Sequence, residues 1–585
     1  VLPPCAHDPE GLALLMACKE NPLDLAPRLI LTDWLEDQGE EDVACCLRES
    51  MAHDGCMVPL PTHVQERWQP LNGCDHGWLC LRPVADTVER KLDELRDCRW
   101  FCSISLTDLS ETLARKIIRE CHAINQVVRL ATMGYWTAPE EPCNGPRLDW
   151  MSDLTFNSPL IEESDVLALS QNSFIKPLSL TVGDAQHHRH GMRALFEAAW
   201  LPNLRQLRLG GELSCWVDFA RYLTRKKLNH LESLSLGGPG GRMTLQAIIH
   251  DQAAPQLRRL ALRNMGIDAE DILSEFPRLA SRPLESLDLS GNPLRCDGLR
   301  AIVIWPGLSS LKELCLRRIG CKSAALAELA SSRQSANIRI LDVSDNRGLD
   351  EEHLNGLESA TMPVLEKLRM SDCELTAASM ARLVESGLLR SISSLDLSKN
   401  RIGKPGVRHL ANAGPLKITE LDMSENFIGE GGLIHLAGYA GLQQVTRLGL
   451  DGNGITPRGL AELAFSPHVS SLRHLWINNN NLIGDYGIRH LTTSAWLPGL
   501  QELSIIQTGI TDTGLRALVD SPNLGELQSL NLWGNPITDA GADMLANCEA
   551  LKSLTDLCIS QEHLTDRGMN ALRNSPYLQH TIIHW

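Results

Sequence analysis

The 585-residue sequence predicts an α/β solenoid preceded by a small helical domain. Three observations carry that prediction. First, a pattern with apolar residues at its first, fourth and sixth positions, often closed by Asn at the ninth, returns every 26 to 28 residues from Leu204 onward. It reads LESLDLSGN at 284–292, ISSLDLSKN at 392–400, ITELDMSEN at 418–426 and LQSLNLWGN at 527–535. Second, most units continue into a segment with helical spacing, such as ITDAGADMLANCEAL at 537–551. Third, the chain holds only 8 Phe and 5 Tyr, so the repeated core is built from Leu, Ile, Val and Ala.

Taken in chain order, residues 1–51 read as a helical domain. GLALLMACKE has helical spacing and stops at Asn21-Pro22, where proline ends the preceding turn. A second helix opens around Asp24–Pro27 and closes at Gly39, and a third runs through EEDVACCLRESM. Leu29, Leu31, Trp34 and Leu35 are expected to pack these helices against each other or against the first repeats. The string NPLDLAPRLILTDWLEDQGE resembles a repeat-companion domain of planctomycete bacterial proteins. The resemblance rests on Asn21, Pro22, Asp24, Pro27, Arg28, Leu29, Asp33, Trp34, Leu35, Glu36 and Gly39, with Leu31 and Thr32 departing from the usual Tyr-Ala. It implies an architecture and a lineage rather than a reaction.

Residues 52–145 are a less regular connecting region, with helices expected at 84–98 and 108–122 and with room for first degenerate repeats. Residues 146–203 hold early degenerate repeats. Val127 and Leu148 begin weak copies and Ile175 a better one, which places the start of the stack between 125 and 175. Regular units fill 204–585, with a last copy on Leu578. Within each, the apolar positions line one side of a short strand, and neighbouring strands align in parallel about 4.8 Å apart. Asn292, Asn346, Asn400, Asn426, Asn453, Asn480 and Asn535 are placed to bond the turn backbone in a ladder between units. Thr and Asp cap the helices, and a recurring Gly allows close approach or a turn. A unit of this length with a true helix resembles the ribonuclease-inhibitor class of leucine-rich repeats over about 380 residues. That resemblance implies a curved horseshoe with an inner arc of roughly 70 Å.

The third, fifth and seventh positions alternate with the buried leucines and are expected on the concave face. Two groups there are candidate contacts. Arg259, Arg263 and Arg317 form a basic edge in the early repeats. Asp396, Asp422, Asp451, His474, Trp476, Asn478, Asn531 and Trp533 form an acidic and aromatic stretch between about 390 and 535. Solubilising polar residues at exposed strand positions are the ordinary alternative. The serines at these positions have no recurring His beside them and make no nucleophile constellation.

The net charge of -17 opposes non-specific attraction to nucleic acid or anionic lipid. No apolar run approaches a membrane span. The 18 Cys are scattered and read as reduced thiols. His53, Cys56, Cys74, His76 and Cys80 lack the tight Cys-x2-Cys spacing of a zinc site. GGPGG at 237–241 lacks a Gly-Lys-Ser/Thr ending and is no phosphate loop. The expectation is a non-catalytic scaffold that binds a protein partner, with no cofactor and no metal, in the cytoplasm. A targeting segment ahead of Val1 is left open. The alternatives are a regulator of an enzyme such as a GTPase, and an enzyme or metal site within 52–145.

Overall fold

A computed structural model describes residues 8–20, 25–52, 58–59, 73–75, 78–81, 102–105, 127–132, 153–156, 170, 178–182, 189–210, 216–225, 228–250, 254–349, 362–522, 524–579 and 581–585. The chain forms two compact units, one of Val1–Gly266 with Arg278–Leu284, the other of Ile267–Pro277 with Glu285–Trp585. The helices expected at 84–98 and 108–122 lie outside the described residues, as do His53, Cys56 and His76.

In the first unit three helices run Pro9–Glu20, Leu25–Asp37 and Glu41–Ala52. Leu31, Trp34 and Leu35 are buried, whereas Leu29 is exposed, contrary to the sequence expectation. The helical period explains the difference: Arg28, Leu31, Thr32 and Leu35 share the inward face, and Leu29 falls on the opposite side. Arg48 clamps the second helix to the third through Asp33, at 2.6 Å, and Glu36. The third helix lies against the first strands, β1 (Val58–Pro59), β2 (Gly73–Asp75) and β3 (Trp78–Leu81). Those three pair antiparallel in succession.

From β3 onward the pairing is parallel, through β4 (Cys102–Ser105), β5 (Val127–Thr132), β6 (Asp153–Phe156) and β7 (Ser179–Val182). It continues through β8 (Gln206–Leu209), β9 (Ser233–Gly237) and β10 (Arg259–Arg263). Among the described residues parallel stacking therefore begins at Trp78, ahead of 125–175 but inside the 52–145 region left open to first degenerate repeats. The register also corrects two early copies. Leu180 pairs with Leu207 and so takes the fourth position of its unit, not the sixth that an anchor at Ile175 requires. Leu154 pairs with Leu180, which moves the copy read on Leu148 forward as well. The copy on Val127 is in register, because Leu130 pairs with Leu154.

The second unit is a parallel array. Its strands are β11 (Ser286–Asp288), β12 (Glu313–Cys315), β13 (Ile340–Asp342), β14 (Lys367–Arg369), β15 (Ser394–Asp396) and β16 (Glu420–Asp422). They continue as β17 (Arg447–Gly449), β18 (His474–Trp476), β19 (Glu502–Ser504), β20 (Ser529–Asn531), β21 (Asp556–Cys558) and β22 (Ile582–His584). One leucine row runs through it in register, from Leu287 and Leu314 to Leu530 and Leu557, with every member essentially buried. Each such side chain contributes about 1.5–3 kcal/mol relative to exposure, which is why the period is so regular. At the end the register again shifts the sequence reading: Ile583 pairs with Leu557, so the last copy starts after Leu578 rather than on it.

The asparagine ladder is present. Asn346 Nδ2 donates to the carbonyls of Leu316 and Val343, both at 2.8 Å, while its Oδ1 accepts from Ile319 N and Gly320 N at 3.0 and 2.9 Å. Two slots without Asn are filled by other donors: Cys373 Sγ bonds Val343 O at 3.2 Å, and Thr508 Oγ1 bonds Ile505 O at 2.9 Å.

A second ladder joins successive helix starts. Asp512 Oδ1 accepts from Thr538 N at 2.9 Å and its Oδ2 from Thr538 Oγ1 at 2.5 Å. Asp485 does the same for Thr511, and Asp539 for Thr565. The recurring helix glycine is explained by this contact: a Cβ on Gly541 would sit 2.5 Å from Asp512 Oδ1 and 2.4 Å from Ile537 Cγ2. Alanine is the better helix former by about 0.8–1.0 kcal/mol. Overpacking typically costs about 1–3 kcal/mol, and the Asp512–Thr538 rung would be strained with it. Gly541→Ala is therefore expected to lower the urea midpoint, and Asp512→Ala in the same chain to restore part of the loss. A stabilised single variant would show that the glycine is not there for this contact.

Candidate functional site

The outward rows of the second unit's sheet are more constrained than alternation alone implies. At the fifth position, Asp396 and Asp422 each turn one carboxylate oxygen back onto the backbone two residues on, accepting from Ser398 N and Ser424 N at 2.9 Å. Asp288 and Asp342 make the same local bond, and Asn531 accepts from Trp533 N at 3.1 Å. The recurring Asp-x-Ser is therefore a self-closing turn motif as well as surface chemistry. The serines also bond laterally, Ser398 Oγ donating to Ser371 Oγ at 2.9 Å.

Asp422 leans over the bare backbone of Gly449, where a Cβ would come within 2.6 Å of its Oδ1. Burial pushes its carboxyl above the ordinary range, and the two bonds from Ser424 only partly offset this. Asp451 is raised for the same reason, against the bonds from Asn478. A carboxyl raised in the folded state favours folding below its ordinary pKa, and that contribution is lost as pH rises through the raised value. Asp422→Asn is therefore expected to raise the urea midpoint at pH 7 and to lose the advantage as pH falls through the carboxylate range. An unchanged difference across pH would show that Asp422 is not destabilised by burial.

Further along, one network spans three strands. Asp451 accepts from Asn478 N at 2.7 Å and Asn478 Nδ2 at 3.1 Å, and Asn478 Oδ1 accepts from Ser504 Oγ and Ile506 N. Asn478 is only 8% exposed with its amide engaged at both ends, so it positions its neighbours instead of presenting itself as a contact. Beside it, Trp476 Nε1 donates to Glu502 Oε1 at 2.8 Å, and His474 Nδ1 lies 3.1 Å from Glu502 Oε2. The two rings stack with centroids 6.0 Å apart. Burial drives the Glu502 carboxyl up, but the bonds from His474 and Trp476, with the charges of His474 and Arg447, hold it below its ordinary range. Glu502 carries no motif of its own in the sequence, and its signal is register: β18 and β19 pair His474 directly with Glu502.

Trp476 is half-buried by this arrangement, whereas Trp533 stands 42% exposed at its seventh position. Arg317 is held by Asp345 at 2.5 Å, and Arg259 and Arg263, both exposed, belong to the first unit. Cys315 and Cys558 sit on the same outward row, and burial raises both thiols, Cys315 to about 12, away from reactive thiolate chemistry. Among the described residues no group of three or more His, Cys, Asp or Glu is arranged to hold a metal ion. Among them, too, no helix is long and apolar enough to cross a membrane.

The Leucine Rich repeat family model matches residues 280–303, 389–411 and 527–546. The chain is 32% identical to the Ribonuclease inhibitor of Mus musculus over 197 residues, covering 31% of this chain and 41% of that protein. It is 29% identical to NACHT, LRR and PYD domains-containing protein 12 of Homo sapiens over 314 residues, 51% of this chain and 27% of that one. The chain thus spans less than half the length of these curated relatives. Among solved structures, the yeast Rad7 and Elc1 complex aligns at TM-score 0.39 and 17% identity, covering 72% of this chain and 88% of that one. An internalin of Listeria monocytogenes aligns at 0.37 and 18%, with the same coverage. The family match and the register together make the fold a leucine-rich-repeat α/β solenoid of the ribonuclease-inhibitor type.

Proposed function

We propose that this chain is a non-catalytic scaffold that binds a protein partner on the concave face of its repeats, between about residues 390 and 535. The observation that carries the reading is Trp533, a large aromatic left exposed beside a network whose other members are locked. An exposed Trp on a rigid platform loses little freedom on binding and buries much apolar area, the usual make-up of an interface anchor. Asp396, Asp422 and Asp451 flank this platform as polar surroundings, with Asn531 holding the Trp533 backbone. Arg259, Arg263 and Arg317 are secondary contacts in this reading. The net charge of -17 favours a protein over a nucleic acid as the partner.

The similarity to a ribonuclease inhibitor favours a narrower form of the same reading, in which the bound protein is an enzyme whose activity the scaffold regulates. The companion-domain resemblance of residues 21–39, a planctomycete origin and a cytoplasmic setting belong to the proposal as well. The test is partner capture with the wild-type chain and with Trp533→Ala. The reading expects a partner that the variant loses, and equal capture by both chains contradicts it.

A further inference from the structure

The loops that leave the strands carry a second feature, distinct from the sheet face. In the second unit the eighth position of each unit from Gly291 to Gly534 has φ between 49 and 73°, turning the chain out of the strand. Two positions later several units need a left-handed residue again and use glycine: Gly320, Gly454 and Gly509, with φ of 73, 67 and 74°. Phe427 occupies that tenth position with φ 56° and stands 74% exposed. A bulky residue in this conformation is an outlier, and an aromatic ring left in water gains nothing from folding in return. In the next unit the equivalent residue is Gly454, where a Cβ would meet nothing within 4 Å.

Phe427 lines a cavity of about 730 Å³ together with Arg347, Lys399, Arg401, Glu425 and Gly452. A second cavity of about 780 Å³ adjoins it through the shared residues Arg347 and Asp372, and brings in Arg295 and Arg318. Arg347 is paired with Asp372 at 3.2 Å, and Asp345 with Arg317. Among the described residues, Arg295, Arg318, Lys399 and Arg401 are in no ion pair, against two such carboxylates in the groove, Glu374 and Glu425. A cationic excess is the exception on a chain of net charge -17.

We propose that this groove is a second binding site, for an extended acidic segment of a partner protein that ends in an apolar side chain. The apolar group packs on Phe427, and carboxylates of the segment pair with Lys399, Arg401 and the arginines beyond. Four strand spacings of about 4.8 Å separate the Arg318 and Phe427 units, a distance that roughly six extended residues cover.

The test uses the full chain and a fluorescein-labelled peptide, a run of glutamates followed by tryptophan, read by fluorescence anisotropy. Binding that weakens with salt is expected, with a loss of about tenfold or more for Phe427→Ala and no measurable binding for Lys399→Glu with Arg401→Glu. Phe427→Gly suits the left-handed backbone, so it should fold at least as well and still lose the peptide. Trp533→Ala should bind the peptide as wild type does, which keeps this site separate from the sheet face. The proposal is overturned if the peptide does not bind, if the Phe427 variants bind it equally, or if a single-stranded RNA probe binds in its place.

Discussion

Asn346→Ala is expected to lower the stability of the second unit by roughly 3–5 kcal/mol. The side chain serves three carbonyls and three amides in turn backbone. Truncation leaves those groups without partners, at about 1–3 kcal/mol for each buried group left unsatisfied. Hydrophobic loss is a minor component, since Asn346 contributes little apolar area. Thr508 does part of the same work at its own rung, bonding the carbonyl three residues back, so Asn346→Thr should recover a fraction of the loss. Equilibrium urea unfolding of the three chains side by side checks this. A shift within about 0.5 kcal/mol, the range of ordinary surface substitutions, would show that the ladder does not hold the turns.

Trp533→Ala is expected to weaken partner binding by about 2–4 kcal/mol, roughly thirtyfold to a thousandfold, the span of interface hot spots. Its stability cost should be small, because the ring is partly exposed and the backbone is held by Asn531 and by the bond from Gln507 N to the Trp533 carbonyl. Trp476→Ala is a different experiment. It removes the donor to Glu502 and the stacking partner of His474, so it disturbs the platform as well as any contact. Comparing the two separates a contact residue from a positioning one.

The fold was legible because each unit must bury its leucines at fixed spacing, and a strand offers one way to do so. Legibility failed at the ends of the array for a physical reason. Where apolar residues lie two apart, as around Leu180 and Leu578, pattern alone accepts either register, and only strand pairing decides. Trp78 opens the first parallel strand among the described residues, and pattern alone does not place it because its unit is degenerate in sequence. The ladder was foreseen through its asparagines, but not at Cys373 and Thr508, since a thiol or hydroxyl in that slot reads as ordinary core.

The candidate surface was legible only as rows. Alternation puts Asp422, Trp476 and Asn478 on the outward side. It does not reveal that Asp422 folds onto Gly449, that Asn478 is sealed between Asp451 and Ser504, or that Glu502 pins Trp476. Those are lateral contacts between units, and they turn most of the expected contact residues into supports for one another. Trp533 is the member of the aromatic group that remains well exposed. Phe427 escaped notice because its meaning lies in backbone conformation, which its residue type argues against.

The most direct test of the scaffold reading is calorimetric titration of a partner captured by the immobilised full chain, against wild type and Trp533→Ala. Saturable binding by wild type and a loss of about thirtyfold or more in the variant are expected, with both chains unfolding at the same urea midpoint. Equal dissociation constants for the two chains would contradict the scaffold reading.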